Sequence, residues 1–159
     1  MERAAVLFGT VTGGAEDLAS ELAGVLEEAG LEAETVDMMD ARAGFFEGGQ
    51  EERAVVVCVA THGDGELPPD AVDFFETLEE EQPDLTSVSF GVCGLGDSGY
   101  EEFCGAGRLM SGFLAGLGAK EMVERHEIDG FIGEEEVEAA REWVRQAAAV
   151  FMKTVSECS

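Results

Sequence analysis

Lysine is nearly missing from this chain: two lysines and seven arginines stand against 35 acidic residues, a formal charge of −26 over 159 residues. A surface so short of cations lacks the phosphate contacts on which DNA, RNA and anionic membranes depend, so no nucleic-acid or membrane partner is expected. No run of about 18 apolar residues is present, which excludes a membrane-spanning helix. The apolar stretch before Gly9 is too short for a signal peptide, and the expected location is the cytoplasm. Cysteine is sparse too. Cys58, Cys93, Cys104 and Cys158 form no CxxC pair and two of them lie inside apolar runs, so they read as structural thiols, with no metal site expected. The usual nucleotide fingerprints are also absent. The loop FGTVTGGAED, residues 8–17, contains neither GxxxxGK[ST] nor GxGxxG, which removes the P-loop and dinucleotide readings.

What is there belongs to a globular chain, 45% hydrophobic and 8% aromatic, of a length expected to form one domain over residues 1–159. The acid is spread through every helical segment (GLEAETVD, TLEEEQPD, GEEEVEAARE). A docking site for a basic protein needs only one acidic patch. The spread therefore favours a halophilic surface, solvated by carboxylates in concentrated salt where repulsion is screened.

Apolar patterning alternates between two kinds. Ala54–Ala60 (AVVVCVA) is a continuous run of the sort found in a strand buried on both faces of a parallel sheet. Ala4–Phe8 and Val88–Leu95 are similar, Glu32–Asp37 alternates like a half-exposed edge, and Glu121–Glu124 is a short, weak strand signal. Between them Leu18, Leu22, Val25 and Leu26 define one helical stripe. Phe75 with Leu78, then Phe103, Met110, Phe113, Leu114 and Leu117, then Val137, Ala140, Val144, Ala148 and Phe151 define the next three. Strand and helix in alternation predict a doubly wound α/β fold, a parallel sheet with helices on both faces.

Ligands of such sheets bind beyond the carboxyl ends of the strands, and three unusual loops fall there. In the first, Thr10 and Thr12 offer hydroxyls, and N–H groups near Gly13, Gly14 and Ala15 open a helix that attracts phosphate without a lysine. A plain glycine turn with Thr12 as N-cap fits the same residues. The second, THGDGELPPD, places Gly63 and Gly65 around Asp64, so a backbone peptide there can approach a planar ligand and reorient; His62 is either a ring-edge contact or a solvated loop residue. The third, GLGDSGYEEF, leads to Tyr100, the sole tyrosine, which fits either a ring-stacking residue or a rim residue packing on its own helix.

Taken together, TGGAEDLASELAGVLEEAG, ATHGDGELPPD, EEQPDLTSVSFGVCGLG and YEEFCGAG resemble the flavodoxin family, most closely its short MioC-type members, in order and spacing over nearly the whole chain. GLGDSGYEEFC also resembles the flavin modules of sulfite reductase and related diflavin reductases. The resemblance implies five parallel strands in the order 2-1-3-4-5, binding one FMN noncovalently. By matching position Thr10, Val11, Thr12, Gly13, Gly14 and Ala15 would hold the FMN phosphate. Thr61, His62, Gly63 and Asp64 would lie along one side of the isoalloxazine. Leu95, Gly96, Asp97, Ser98, Gly99, Tyr100, Phe103 and Cys104 would lie along the other, with Tyr100 stacked on the ring and Asp129 a flavin-proximal acid. The Gly63-Asp64 peptide matches one that reorients when the flavin is reduced. Val11 and Gly14 stand where many family members carry side-chain hydrogen-bonders, and His62 replaces a bulky aromatic, which shifts phosphate binding toward the backbone and weakens FMN retention.

The implied function is a low-potential electron carrier working between a flavin or iron–sulfur reductase and an acceptor enzyme, as a monomer, without a catalytic acid or base of its own. One carboxylate about 10 Å from the flavin in water would disfavour its anionic reduced form by roughly 0.4 kcal/mol, or about 18 mV for one electron. An FMN-dependent NAD(P)H quinone or flavin reductase is the alternative. Against it stand the missing second nucleotide fingerprint, little length for a substrate lid, and no basic residue expected near the loops. A flavin-free interaction module such as a receiver domain needs an acidic cluster at the ends of strands 1 and 3, where the chain has Phe8-Gly9-Thr10 and Ala60-Thr61-His62. The Met1-Glu2 start and a last helix running almost to Ser159 lead to the expectation of a free-standing carrier.

Overall fold

Residues that cannot tolerate water on either side set the centre of the fold. Val55, Val56, Val57, Cys58 and Val59 are all fully buried, as a strand must be when helices cover both sheet faces. The computed structural model describes residues 3–9, 14–40, 53–60, 69–96, 105–129 and 132–158. Its elements in chain order are β1 (Arg3–Gly9), α1 (Gly14–Glu28), β2 (Glu32–Asp37), β3 (Arg53–Ala60), α2 (Pro69–Glu81), β4 (Val88–Gly96), α3 (Gly105–Gly116), β5 (Lys120–Glu121), β6 (His126–Asp129) and α4 (Glu134–Cys158).

All pairings are parallel, in the order β2-β1-β3-β4-β5, with β6 also alongside β4. Alternation along the strands divides the core in two. Val6, Phe8, Val56, Cys58, Cys93 and Leu95 face α1 and α4. Leu7, Val55, Val57, Val59, Phe90 and Val92 face α2 and α3. The expected stripes are buried at Leu18, Leu22, Val25 and Leu26 and at Ala140, Val144, Ala148 and Phe151. In α2 Phe74 rather than Phe75 is the fully buried ring, and Phe75 packs on Phe113 of α3 with the rings tilted 43° and their centroids 4.7 Å apart. β2 is the half-exposed edge that its glutamates require.

The fifth position of the sheet departs from expectation. Pairing does not run through Glu121–Glu124; it runs through β5 opposite Ser89 and Phe90 and resumes in β6 opposite Cys93 to Gly96. Four residues, Met122 to Arg125, therefore stand against two, Gly91 and Val92, and the strand bulges. The cause lies in α4. A Cβ on Gly91 would come within 3.1 Å of both the Trp143 ring and Val123, so the glycine admits the indole against the sheet. The Trp143 Nε1–H then donates to the Glu124 carbonyl at 2.8 Å, while the Met122 N–H still donates to the Phe90 carbonyl at 2.9 Å.

Two helices end on glycine for a conformational reason. Gly30 (φ 97°) and Gly118 (φ 104°) are left-handed, and each closes a Schellman turn in which the next N–H reaches back to Leu26 or Leu114.

Candidate functional site

The carboxyl ends of the strands form one row. Register pairs Gly9 with Val59, Ala60 with Leu95 and Gly96 with Asp129. The segments 10–13, 61–68 and 97–104 all leave from that row, because β1, β3 and β4 are parallel and each hands over to a helix. Strand order reverses between β1, which continues to β2, and β3, which continues to β4. Helices α1 and α2, which follow these two strands, pack on opposite faces. A crevice at such a reversal is where ligands of open parallel sheets sit.

Of the sequence-predicted site residues, Gly14, Ala15, Leu95, Gly96 and Asp129 are described. Gly14 is the first residue of the 15-residue α1 and Ala15 is buried beneath it, so N–H groups that have no partner within their own helix open toward the row. Glu16 and Asp17 occupy the same first turn and are exposed. Their charge complements the helix dipole, and it repels an anion anywhere but at the backbone N–H groups ahead of them. Leu95 is buried, Gly96 half-buried, and Asp129, exposed at the end of β6, is the register partner of Gly96. Thr10, Val11, Thr12, Gly13, Thr61, His62, Gly63, Asp64, Asp97, Ser98, Gly99, Tyr100, Phe103 and Cys104 lie outside the described residues. Pro69 is the first residue of α2, the helix-start position the two prolines suggested.

Two residues below the Ala60–Leu95 pair, Cys58 and Cys93 are register partners, fully buried. A hydrogen bond with Cys58 and burial hold the Cys93 thiol well above its ordinary range, so Cys93 stays protonated, as a structural thiol does. His126 is the next residue across in register. Its ring stacks on Trp143 with centroids 5.7 Å apart, and burial lowers its pKa from 6.5. The unfolded chain therefore takes up a proton before the folded one does. Stability is expected to fall as pH drops through about 6.5 and to level off once the folded imidazole is also charged. Urea unfolding of the parent and of His126→Gln from pH 7.5 to 5 should show a difference in pH slope; parallel curves would contradict it.

The convergence of two arginines on one carboxylate at this end of the molecule was not foreseen. Arg108, one turn into the helix that follows the third loop, lies 3.7 Å from Glu127, and Arg125 lies 3.2 Å from the same carboxylate. The expectation of no basic residue near the loops concerns residues 97–104 at the third loop, which lie outside the described residues. The available signal was Arg108 itself, four residues past Cys104 in a chain with nine cations.

The flavodoxin family model matches residues 6–143. The chain belongs to the flavodoxin family. Among its relatives, the protein MioC of Escherichia coli is 34% identical over 139 residues, 87% of this chain and 91% of that protein. The sulfite reductase [NADPH] flavoprotein alpha-component of Vibrio parahaemolyticus is 34% identical over 152 residues, 95% of this chain but 23% of that protein. Among solved structures, the oxidised flavodoxin 1 of Bacillus cereus superposes with a TM-score of 0.80 at 28% identity, covering 96% of this chain and 98% of its own. A variant of the Pseudomonas aeruginosa flavodoxin gives 0.84 at 29% identity, covering 94% and 99%. The strand order inferred from the flavodoxin resemblance is the observed one, with the fifth strand in two pieces.

Proposed function

We propose that this flavodoxin-family chain binds FMN at the carboxyl edge of its sheet, as one FMN-binding domain, and carries electrons between proteins. The observation that supports the reading best is the coincidence of the β1/β3 reversal, the open start of α1 and three departing glycine-rich segments at one edge. That arrangement suits a phosphate-bearing planar group. The α1 N–H groups from Gly14 onward, with Thr10 and Thr12, would take the phosphate, and Tyr100 and His62 would border the ring. When bound, the flavin supplies the redox chemistry; the chain's residues hold it, orient it and control its exposure to water.

The named relatives are flavodoxins, MioC and a flavoprotein component, which favours a carrier over an FMN-dependent reductase with a substrate of its own. Its partners are proposed to be a flavin or iron–sulfur reductase and an acceptor enzyme, met in the cytoplasm by a monomer. No helix among the described residues is long and apolar enough to cross a membrane.

Tyr100→Ala tests the ring contact. Loss of base–aromatic stacking is expected to weaken FMN binding by about tenfold, given the roughly 1–3 kcal/mol of one stacked aromatic, read as the dissociation constant from quenching of flavin fluorescence. Unchanged affinity would remove Tyr100 from the site.

A further inference from the structure

The acid that covers this chain avoids one helix. α1 carries five acidic residues, α2 six, and α4 six with three cations. In the 12 residues of α3 (GAGRLMSGFLAG) the sole charge is Arg108. Its outer face presents Arg108, Leu109 at 49% exposure, Gly112, Ala115 and Gly116, with Phe113 half-buried beside them. Neither Gly112 nor Gly116 is needed for packing, since a Cβ on either would meet nothing within 4 Å. Glycine costs an exposed helix about 1 kcal/mol against alanine, so the fold alone gives no reason for either. At the same end, Arg108 and Arg125 share a single carboxylate, Glu127. Together with the adjoining edge, Lys120 to Asp129, this side holds three cations against four carboxylates, near neutrality in a chain of charge −26.

We propose that the outer face of α3 is the docking surface for an acceptor protein that is itself acidic. The inference rests on the electron-carrier reading and names the chemistry of the partner. An acidic protein is repelled by the carboxylates of α1, α2 and α4, and α3 is where two such surfaces meet without apposed acids. Charge-depleted, partly apolar patches with an arginine at the rim have the composition of interface cores, and a patch near neutrality is where the repulsion between two acidic proteins is least. The helix follows segment 97–104 directly, so a partner seated on α3 lies beside the edge proposed to hold the cofactor.

Two small oxidants of opposite charge probe the surface: ferricyanide and hexaammineruthenium(III), each taking one electron from the photoreduced FMN-loaded protein in stopped flow. The runs use the lowest KCl concentration at which circular dichroism shows the protein folded, and 2 M KCl. Arg108→Glu is compared with Lys153→Glu, the same charge change on exposed α4. Arg108→Glu is expected to slow ferricyanide relative to hexaammineruthenium about threefold at the lower salt, with the difference closing in 2 M KCl. Lys153→Glu should leave the ratio nearly unchanged. Equal effects of the two variants, or no change in the ratio, would overturn the inference while leaving the carrier reading intact. A folded protein that takes up no FMN would instead refute the carrier reading.

Discussion

Trp143→Ala is expected to destabilise the fold by about 3–5 kcal/mol, the range for removing a buried tryptophan. The side chain is 8% exposed, lies against Gly91, stacks on His126, and bonds the carbonyl of Glu124 at 2.8 Å. The residue beneath it is a glycine in the sheet, which offers no side chain to fill the space. Trp143→Phe should cost less, retaining a ring while losing the hydrogen bond, which is worth about 1 kcal/mol. Urea midpoints in 2 M KCl measure both. An alanine variant less than about 1 kcal/mol below the parent would show that the bulge at Met122–Arg125 does not depend on the indole.

The second large effect is expected from salt. With a formal charge of −26, self-repulsion opposes the compact state, and the ion pairs Arg108–Glu127, Arg125–Glu127, Arg141–Glu21, Arg141–Glu138, Arg145–Glu138 and Arg145–Glu142 all lie on exposed or part-exposed side chains, where they offset little of it. At about 1 M salt the screening length is near 3 Å, whereas at about 0.1 M it is near 10 Å and charges interact across helices. We propose that the surface is salt-adapted. Moving from 2 M to 0.05 M KCl should lower the melting temperature by on the order of 10 °C or more, equivalent to a few kcal/mol. Circular dichroism melts at the two concentrations decide the matter, and coincident curves would leave the acid to a docking role.

Most of the sheet was legible in the sequence because burial on both faces leaves an unmistakable record. Ala54–Ala60 and Val88–Leu95 have no polar alternation, and the observed strands extend them by a single residue at one end. The stripe at Leu18, Leu22, Val25 and Leu26 was equally readable, since spacing alone fixes a helix face. Spacing could not choose between the adjacent rings Phe74 and Phe75. Nor could it show the split fifth strand, whose cause couples Gly91, Glu124 and Trp143 over more than 50 residues of chain. The carboxyl edge where β1, β3 and β4 end was readable as three glycine-rich breaks after strands. The meeting of Arg108, Arg125 and Glu127 was not, because an ion pair between a helix and an edge strand has no local signature.

The most direct test of the central claim is a visible spectrum of the protein purified in 2 M KCl, followed by titration of FMN into any apo fraction while flavin fluorescence is monitored. The account predicts flavin absorption bands and quenching that saturates at one FMN per chain. A protein shown to be folded in the same buffer that neither carries flavin nor quenches its fluorescence would contradict the account.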